Sequence, residues 1–229
     1  MHAPAPGQFD LTWQEELRLR NGRRVILRLL QPSDRATYLR AFHKLSAEAR
    51  YHRFFEPKDD LTDQELHYLV DLDQVHHFAI VAISPGSAKH KTVDEGVGLA
   101  RCVEIPGHPH VAEPAVTVLD TWQGVGLGRL LMRRLVEAAK ARGVQRFHVD
   151  VLEGNAPMLS LLDEVSVELM PAREDGSLTL DLPLPDDLPP DPREDAMHDR
   201  VRLTALDRVL RMAAKGVLRV LPRAGRGKG

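Results

Sequence analysis

Val116-Thr117-Val118-Leu119-Asp120-Thr121-Trp122-Gln123-Gly124-Val125-Gly126-Leu127-Gly128-Arg129-Leu130-Leu131-Met132 is the stretch on which the reading of this 229-residue chain turns. A β-branched run leads into a turn with three glycines, and a helical pattern starts directly after it. Leu127, Leu130, Leu131, Leu135, Ala138 and Ala139 recur at helical spacing, and Gly143 supplies a stop. Glycines let a backbone turn tightly and come close to a ligand. The first amides of the helix have no internal partner and carry the positive end of its dipole. Together they form an anion site suited to a diphosphate. A glycine-rich turn alone also fits a helix entry packed tightly on a strand. Two nucleotide motifs are excluded, because no Gly-Lys-Ser/Thr follows and the spacing is not GxGxxG.

The flanks give a mixed order of elements. Glu15 to Leu30 predicts a hairpin around Asn21-Gly22, a type I′ signal. Ser33 or Asp34 is the expected N-cap of a helix through Leu45. Ser46 starts a short helix, and Leu61-Thr62-Asp63-Gln64-Glu65 caps a third that runs to about Leu72. Strands follow at His77–Ile83, Gly96–Glu104 and Ala112–Leu119, then the glycine turn and its helix. Phe147–Val151 is a strand, Asn155 opens a helix to about Glu164, and Val165–Leu169 with Leu178–Leu182 reads as a last hairpin around Asp175-Gly176. This order predicts an α/β (α+β) domain built on a largely antiparallel sheet.

Here a resemblance becomes specific. Gln123-x-x-Gly126-x-Gly128 resembles the Gln/Arg-x-x-Gly-x-Gly/Ala signature of the GNAT N-acetyltransferases, and Val116–Asp120 looks like that family's central strand. Asn155, with Met158 and Leu162 behind it, looks like the Asn-led helix beside the pantetheine arm. Leu45-Ser46-Ala47-Glu48-Ala49-Arg50-Tyr51-His52-Arg53-Phe54-Phe55 is similar to a run in the acetyltransferase domain of bacterial protein-lysine acetyltransferases, and Gly98-Leu99-Ala100-Arg101 also fits.

The resemblance covers about residues 15–183 and implies a GNAT fold with acetyl-CoA as co-substrate. It implies cofactor binding by Val116, Val118, Gln123, Gly124, Val125, Gly126, Leu127, Gly128, Arg129 and Asn155. The implied reaction is direct attack of a primary amine, a protein lysine or a small molecule, on the thioester. Glu113 occupies the position of the general base in that branch; the alternative is an exposed strand-end acid. Two departures stand out. The tyrosine that often lies seven residues after the Asn is Leu162 here, and Asp163-Glu164-Val165-Ser166-Val167 replaces the usual Gly-Phe. A catalytically idle acyl-CoA-binding module is therefore the second reading.

Composition bounds the rest. A 43% hydrophobic share is ordinary for a globular protein. The single cysteine, Cys102, excludes an intramolecular disulfide and is expected as a small strand residue. No apolar run approaches a membrane span or a signal peptide, so a cytoplasmic location is expected. His76-His77 and His108-x-His110 lack further ligands at metal spacing, so no metal is expected. Trp122 is expected in the core.

The net charge of −2 divides into +8 over residues 200–229 and −10 over the remainder. The expected domains are a disordered stretch (1–14), the GNAT domain (15–183), a linker (184–199) and a basic amphipathic helix and tail (200–229). In that helix Leu203, Leu206, Val209, Leu210, Ala213, Val217, Val220 and Leu221 share a face opposite Arg200, Arg208, Arg211, Lys215 and Arg219. Its expected partners are the body itself, a second copy in a homodimer, or an anionic surface. The tail has no aromatic residue, which argues against specific nucleic-acid binding.

Overall fold

The computed structural model describes residues 9–86, 93–152, 154–165, 171–174, 177–186 and 188. The expected basic helix and most of the linker lie outside them, as does the expected turn at Asp175-Gly176.

The elements follow the expected order. Strands β1 (Gln14–Arg18) and β2 (Arg24–Leu29) lead to helices α1 (Arg35–Lys44), α2 (Ala47–Phe54) and α3 (Asp63–Val70). Strands β3 (His77–Ser84), β4 (Glu95–Glu104) and β5 (Val111–Val118) precede the long helix α4 (Leu127–Ala141). Strand β6 (Arg146–Leu152), helix α5 (Ala156–Val165) and strands β7 (Pro171–Glu174) and β8 (Ser177–Pro183) complete the chain. Among the described residues the eight strands form one sheet in the order β1-β2-β3-β4-β5-β6-β8-β7. Every pairing is antiparallel except β5 with β6.

Local chemistry explains the boundaries. Ser46 Oγ accepts from the Ala49 amide at the start of α2, and Thr62 and Glu65 close a capping box on α3. Gly143, at φ 85°, ends α4: its amide reaches Lys140 O and the Val144 amide reaches Ala139 O, a Schellman pair. Helix α4 buries Leu127, Leu130, Leu131, Leu135, Ala138 and Ala139. It seats close to the sheet at Gly98, where an added Cβ would come within 2.8 Å of Leu131 Cδ1. Arg134 fixes the β1 edge to α4 through Glu15, at 2.6 and 2.7 Å. Helix α1 covers the opposite face, over Leu30, Ala79, Val81, Ile83 and Leu99.

Several expectations need correction. Gly22 is left-handed but Asn21 is not. Leu19 instead accepts from Gly22 and donates to Arg23 O, which is a type I turn followed by a left-handed glycine. Asp34 stands at the N-cap of α1 without capping it, because its carboxylate turns to Arg28 (2.6 Å twice) and the Gln31 amide. Val165 is the last residue of α5, not a strand residue: Leu159, Leu162 and Val165 are a helical stripe buried together; the rest of that expected strand, 166–169, lies outside the described residues, and β7 begins at Pro171. Phe9, expected in the disordered start, is buried against Trp13 with ring centroids 4.7 Å apart, and its carbonyl accepts from Arg142. Leu184 donates to Gln145 O, so packing also continues past residue 183.

Arg101, on β4, is only 2% exposed. It donates to the Leu69 carbonyl and to His77 Nε2, which must be neutral to accept. Burial, with the Arg101 charge beside it, pushes the His77 imidazole down to about 4. The folded chain therefore holds fewer protons than the unfolded chain between pH 6.5 and about 4, so stability falls as pH drops through that window. Solvent screening of the half-buried ring limits the effect to about 1 kcal/mol, or roughly 2–4 °C in a domain of this size. The thermal midpoint at pH 5 is expected to lie below that at pH 7, and His77→Gln to remove this part of the decrease, as measured by circular dichroism melting at both pH values.

Candidate active site

The site begins where the sheet splits. Strands β5 and β6 pair only at Val111–Arg146 and Ala112–Phe147. The hydrogen bonds of Val111 with Ile105 and His108, and of Leu119 with Val97, turn the odd-numbered backbone groups of β5 toward β4. By the two-residue period the groups of 112, 114, 116 and 118 point toward β6. Residue 114 is proline and has no N–H to donate. The ladder therefore ends at Ala112, and the backbone of Val116 and Val118 faces an open gap.

The glycine loop closes the wide end of that gap. Gly124 and Gly126 adopt φ 71° and 88°, and a Cβ at either would meet nothing within 4 Å. Their requirement is thus for left-handed backbone, not for space. Leu130 makes the first helical bond to Gly126 O, which leaves the amides of Leu127, Gly128 and Arg129 ahead of it at the positive helix end. At Gly128 a Cβ would lie 3.4 Å from Leu161 Cδ1, so this glycine sets the approach of α4 to α5.

Three contacts hold the loop. Gln123 Nε2 donates to Val118 O at 3.2 Å. Asp120 accepts from the Ser46 amide and hydroxyl at 3.1 and 3.0 Å, tying the loop to the first turn of α2. Arg23 stacks 3.3 Å over the buried Trp122 and donates to Thr121 O.

A cleft of about 850 Å³ follows the gap from the loop to α2. The structure brings Glu113, Val116, Val118, Gln123, Gly124, Val125, Gly126, Gly128, Arg129 and Asn155 together around it. Leu127 is the exception: its side chain is 1% exposed in the core, so only its amide faces the loop side. Asn155 also caps α5, its Oδ1 accepting from the Met158 amide at 3.2 Å. Glu113 is exposed at the narrow end, the first residue after the ladder stops, and among the described residues no hydrogen bond or ion pair engages its carboxylate.

Sequence reasoning missed the wall that α2 contributes: Glu48, His52, Arg53, Phe54 and Phe55. The Leu45–Phe55 run carried that signal as a resemblance without assigning it to the site. Ser160 was also missed; it lines the cleft from α5, whereas Leu162 is fully buried. Burial pushes the Cys102 thiol up to about 12, as befits a core residue. Among the described residues no group of three or more His, Cys, Asp or Glu could hold a metal.

A glycine turn that opens a helix at the mouth of a split, mostly antiparallel sheet defines an acyl-CoA N-acyltransferase fold. Residues 39–165 match the acetyltransferase (GNAT) family model, and the chain belongs to that family. Acetyltransferase Pat of Mycolicibacterium smegmatis is 31% identical over 193 residues, which are 81% of this chain and 53% of the relative. The chain thus spans about half the length of that protein. The GNAT domain of S. lividans PAT superposes with a TM-score of 0.65 at 24% identity, covering 77% of this chain and 99% of that one. The Salmonella typhimurium protein yncA, solved with its cofactor acetyl-CoA, superposes with a TM-score of 0.53 at 20% identity, covering 73% of this chain and 98% of that one.

The left-handed geometry of Gly126 makes a direct test. An L-residue there costs about 1–2 kcal/mol, and the loop sheds that strain by tilting its amides away from the anion. Gly126→Ala is expected to weaken CoA binding by roughly five- to thirtyfold, read by titration calorimetry.

Proposed function

We propose that this chain transfers an acetyl group from acetyl-CoA to a primary amine, with a protein lysine as acceptor and Glu113 as the general base. The observation that carries the reading is the placement of Glu113 where the β5–β6 ladder ends, on the same cleft as the glycine loop. The acetyl-CoA thioester supplies a carbonyl carbon open to attack. The loop amides and the α4 N-terminus hold the diphosphate, and Val116 and Val118 offer backbone groups to the pantetheine amides. Glu113 accepts the proton of the incoming ammonium, whose pKa of ~10.4 keeps it unreactive otherwise.

The preference for a protein lysine rests on α2. The run that resembles the protein-lysine branch forms the wall facing the glycine loop across the cleft. Phe54 and the exposed Phe55 (45%) lie on it, beside Glu48 and His52. Aromatic surface and an acid suit the alkyl stem and charge of a lysine. A second reading, an acyl-CoA-binding module without turnover, is favoured by Leu162, whose complete burial leaves no acid at that position.

Thiol release from acetyl-CoA with lysine-bearing proteins tests both. Glu113→Gln is expected to lower kcat/KM by about 10²–10⁴-fold while acetyl-CoA still binds. Its residual rate is expected to climb with pH toward the amine pKa of ~10.4, because the amine must then lose its proton unaided. Equal rates for Glu113→Gln and the parent chain remove Glu113 from the mechanism. Tight acetyl-CoA binding with no turnover on any acceptor supports the binding module instead.

A further inference from the structure

A second cavity lies under α1, on the face of the sheet that Glu113 shares. Leu30, Phe42, Leu45, Val97, Leu99 and Leu119 give it a largely apolar wall, and its volume is about 50 Å³. The acid at its edge, Asp34, is already engaged by Arg28 and the Gln31 amide. A cavity so lined binds water poorly and binds hydrocarbon well. Its volume has room for roughly three or four groups the size of a water molecule or a methylene.

The cavity adjoins the cleft: Thr117, Arg53 and Phe54 line both. Thr117 follows Glu113 by four residues on β5, so both side chains leave the strand on one face, roughly 13 Å apart along it. An acyl carbon held between them would lie beside Thr117, on the cavity's border. Gly96 keeps the interior open, since a Cβ there would sit 3.3 Å from Thr37 Cγ2 and fill the space between β4 and α1.

We propose that this cavity receives the hydrocarbon tail of an acyl group longer than acetyl, so that the chain uses propionyl- or butyryl-CoA at least as well as acetyl-CoA. The inference rests on the acyltransferase reading above and specifies its donor. The bond changes are those of acetyl transfer. The amine nitrogen bonds to the carbonyl carbon, its proton passes to Glu113, and the C–S bond breaks with its electron pair going to sulfur. Only the group beyond the carbonyl differs. An apolar side chain of the acceptor is the competing occupant.

The experiment compares acetyl-, propionyl- and butyryl-CoA, by calorimetric titration for Kd and by thiol release for kcat/KM. Burying one further methylene is expected to tighten Kd about fourfold, the equivalent of ~0.8 kcal/mol. The ratio of propionyl to acetyl kcat/KM is expected to be one or greater. Ala41→Phe, which fills the cavity from α1, is expected to lower that ratio at least tenfold, with Ala41→Val as the milder substitute if the larger ring prevents folding. A parent ratio below one, or a ratio unchanged in a folded Ala41 variant, overturns the proposal and leaves the cavity to the acceptor or to imperfect packing. If no donor turns over, the acyltransferase reading fails separately. The Kd series then decides the cavity by itself: tighter binding of the longer chains supports it, and equal or weaker binding overturns it.

Discussion

One missing hydrogen-bond donor organises the site. The backbone of β5 alternates, with odd residues bonded to β4 and even residues directed at β6. Proline at 114 removes the donor that would extend the parallel ladder beyond Ala112. Strands in a sheet must otherwise satisfy their polar groups; Gln123 takes the Val118 carbonyl, and the backbone left at Val116 and the Val118 amide needs water or a ligand. A ligand rich in amides fits this demand. The same alternation sends Glu113 and Thr117 out of one face, toward α1 and α2. On the proposed reading, a single strand thus offers backbone to the donor's arm and side chains to the reacting centre.

The glycine loop is rigid for reasons that lie outside it. Gly124 and Gly126 touch little, so their left-handed geometry is imposed by Gln123, Asp120 and Trp122 around them. The Asp120–Ser46 contact joins the loop to the cap of α2, whose later turns line the opposite wall of the cleft. Displacing α2 therefore disturbs the anion site, and distorting the loop moves the aromatic wall. The two ends of the cleft share one clamp, which suits a reaction in which two substrates must meet at a fixed distance.

Much of this was legible in the sequence because the strongest local signals agree with the fold. The strand-like runs became β3, β4 and β5, the six apolar positions of α4 are all buried, and the glycines fall where left-handed backbone or close packing is needed. The misreadings share a cause: residues with good local chemistry were claimed by distant partners. Asp34 has the residue type of an N-cap, but Arg28 offers it two charge-assisted bonds. Phe9 sits in an unpatterned terminus, yet Trp13 and Arg142 hold it. Val165 extends the helix by one residue beyond its expected end. The α2 wall and the cavity beneath α1 were not legible, because both exist only where helix and sheet meet in space.

The burial of Leu162 has a chemical consequence for the proposed reaction. Helix α5 turns its Leu159–Leu162–Val165 stripe into the core and gives the cleft Met158, Ser160 and Leu161 instead. A tyrosine at 162 would sit in the core and could not reach a leaving group. A thiol of pKa ~8.5 leaves more readily than an alkylamine of pKa ~10.4, provided the amine nitrogen has lost its proton. The tetrahedral adduct then partitions toward amide without an acid at the sulfur. On the proposed reading the demand on the protein falls on accepting a proton from nitrogen; Glu113 is exposed at the end of the ladder, and among the described residues no hydrogen bond or ion pair engages it.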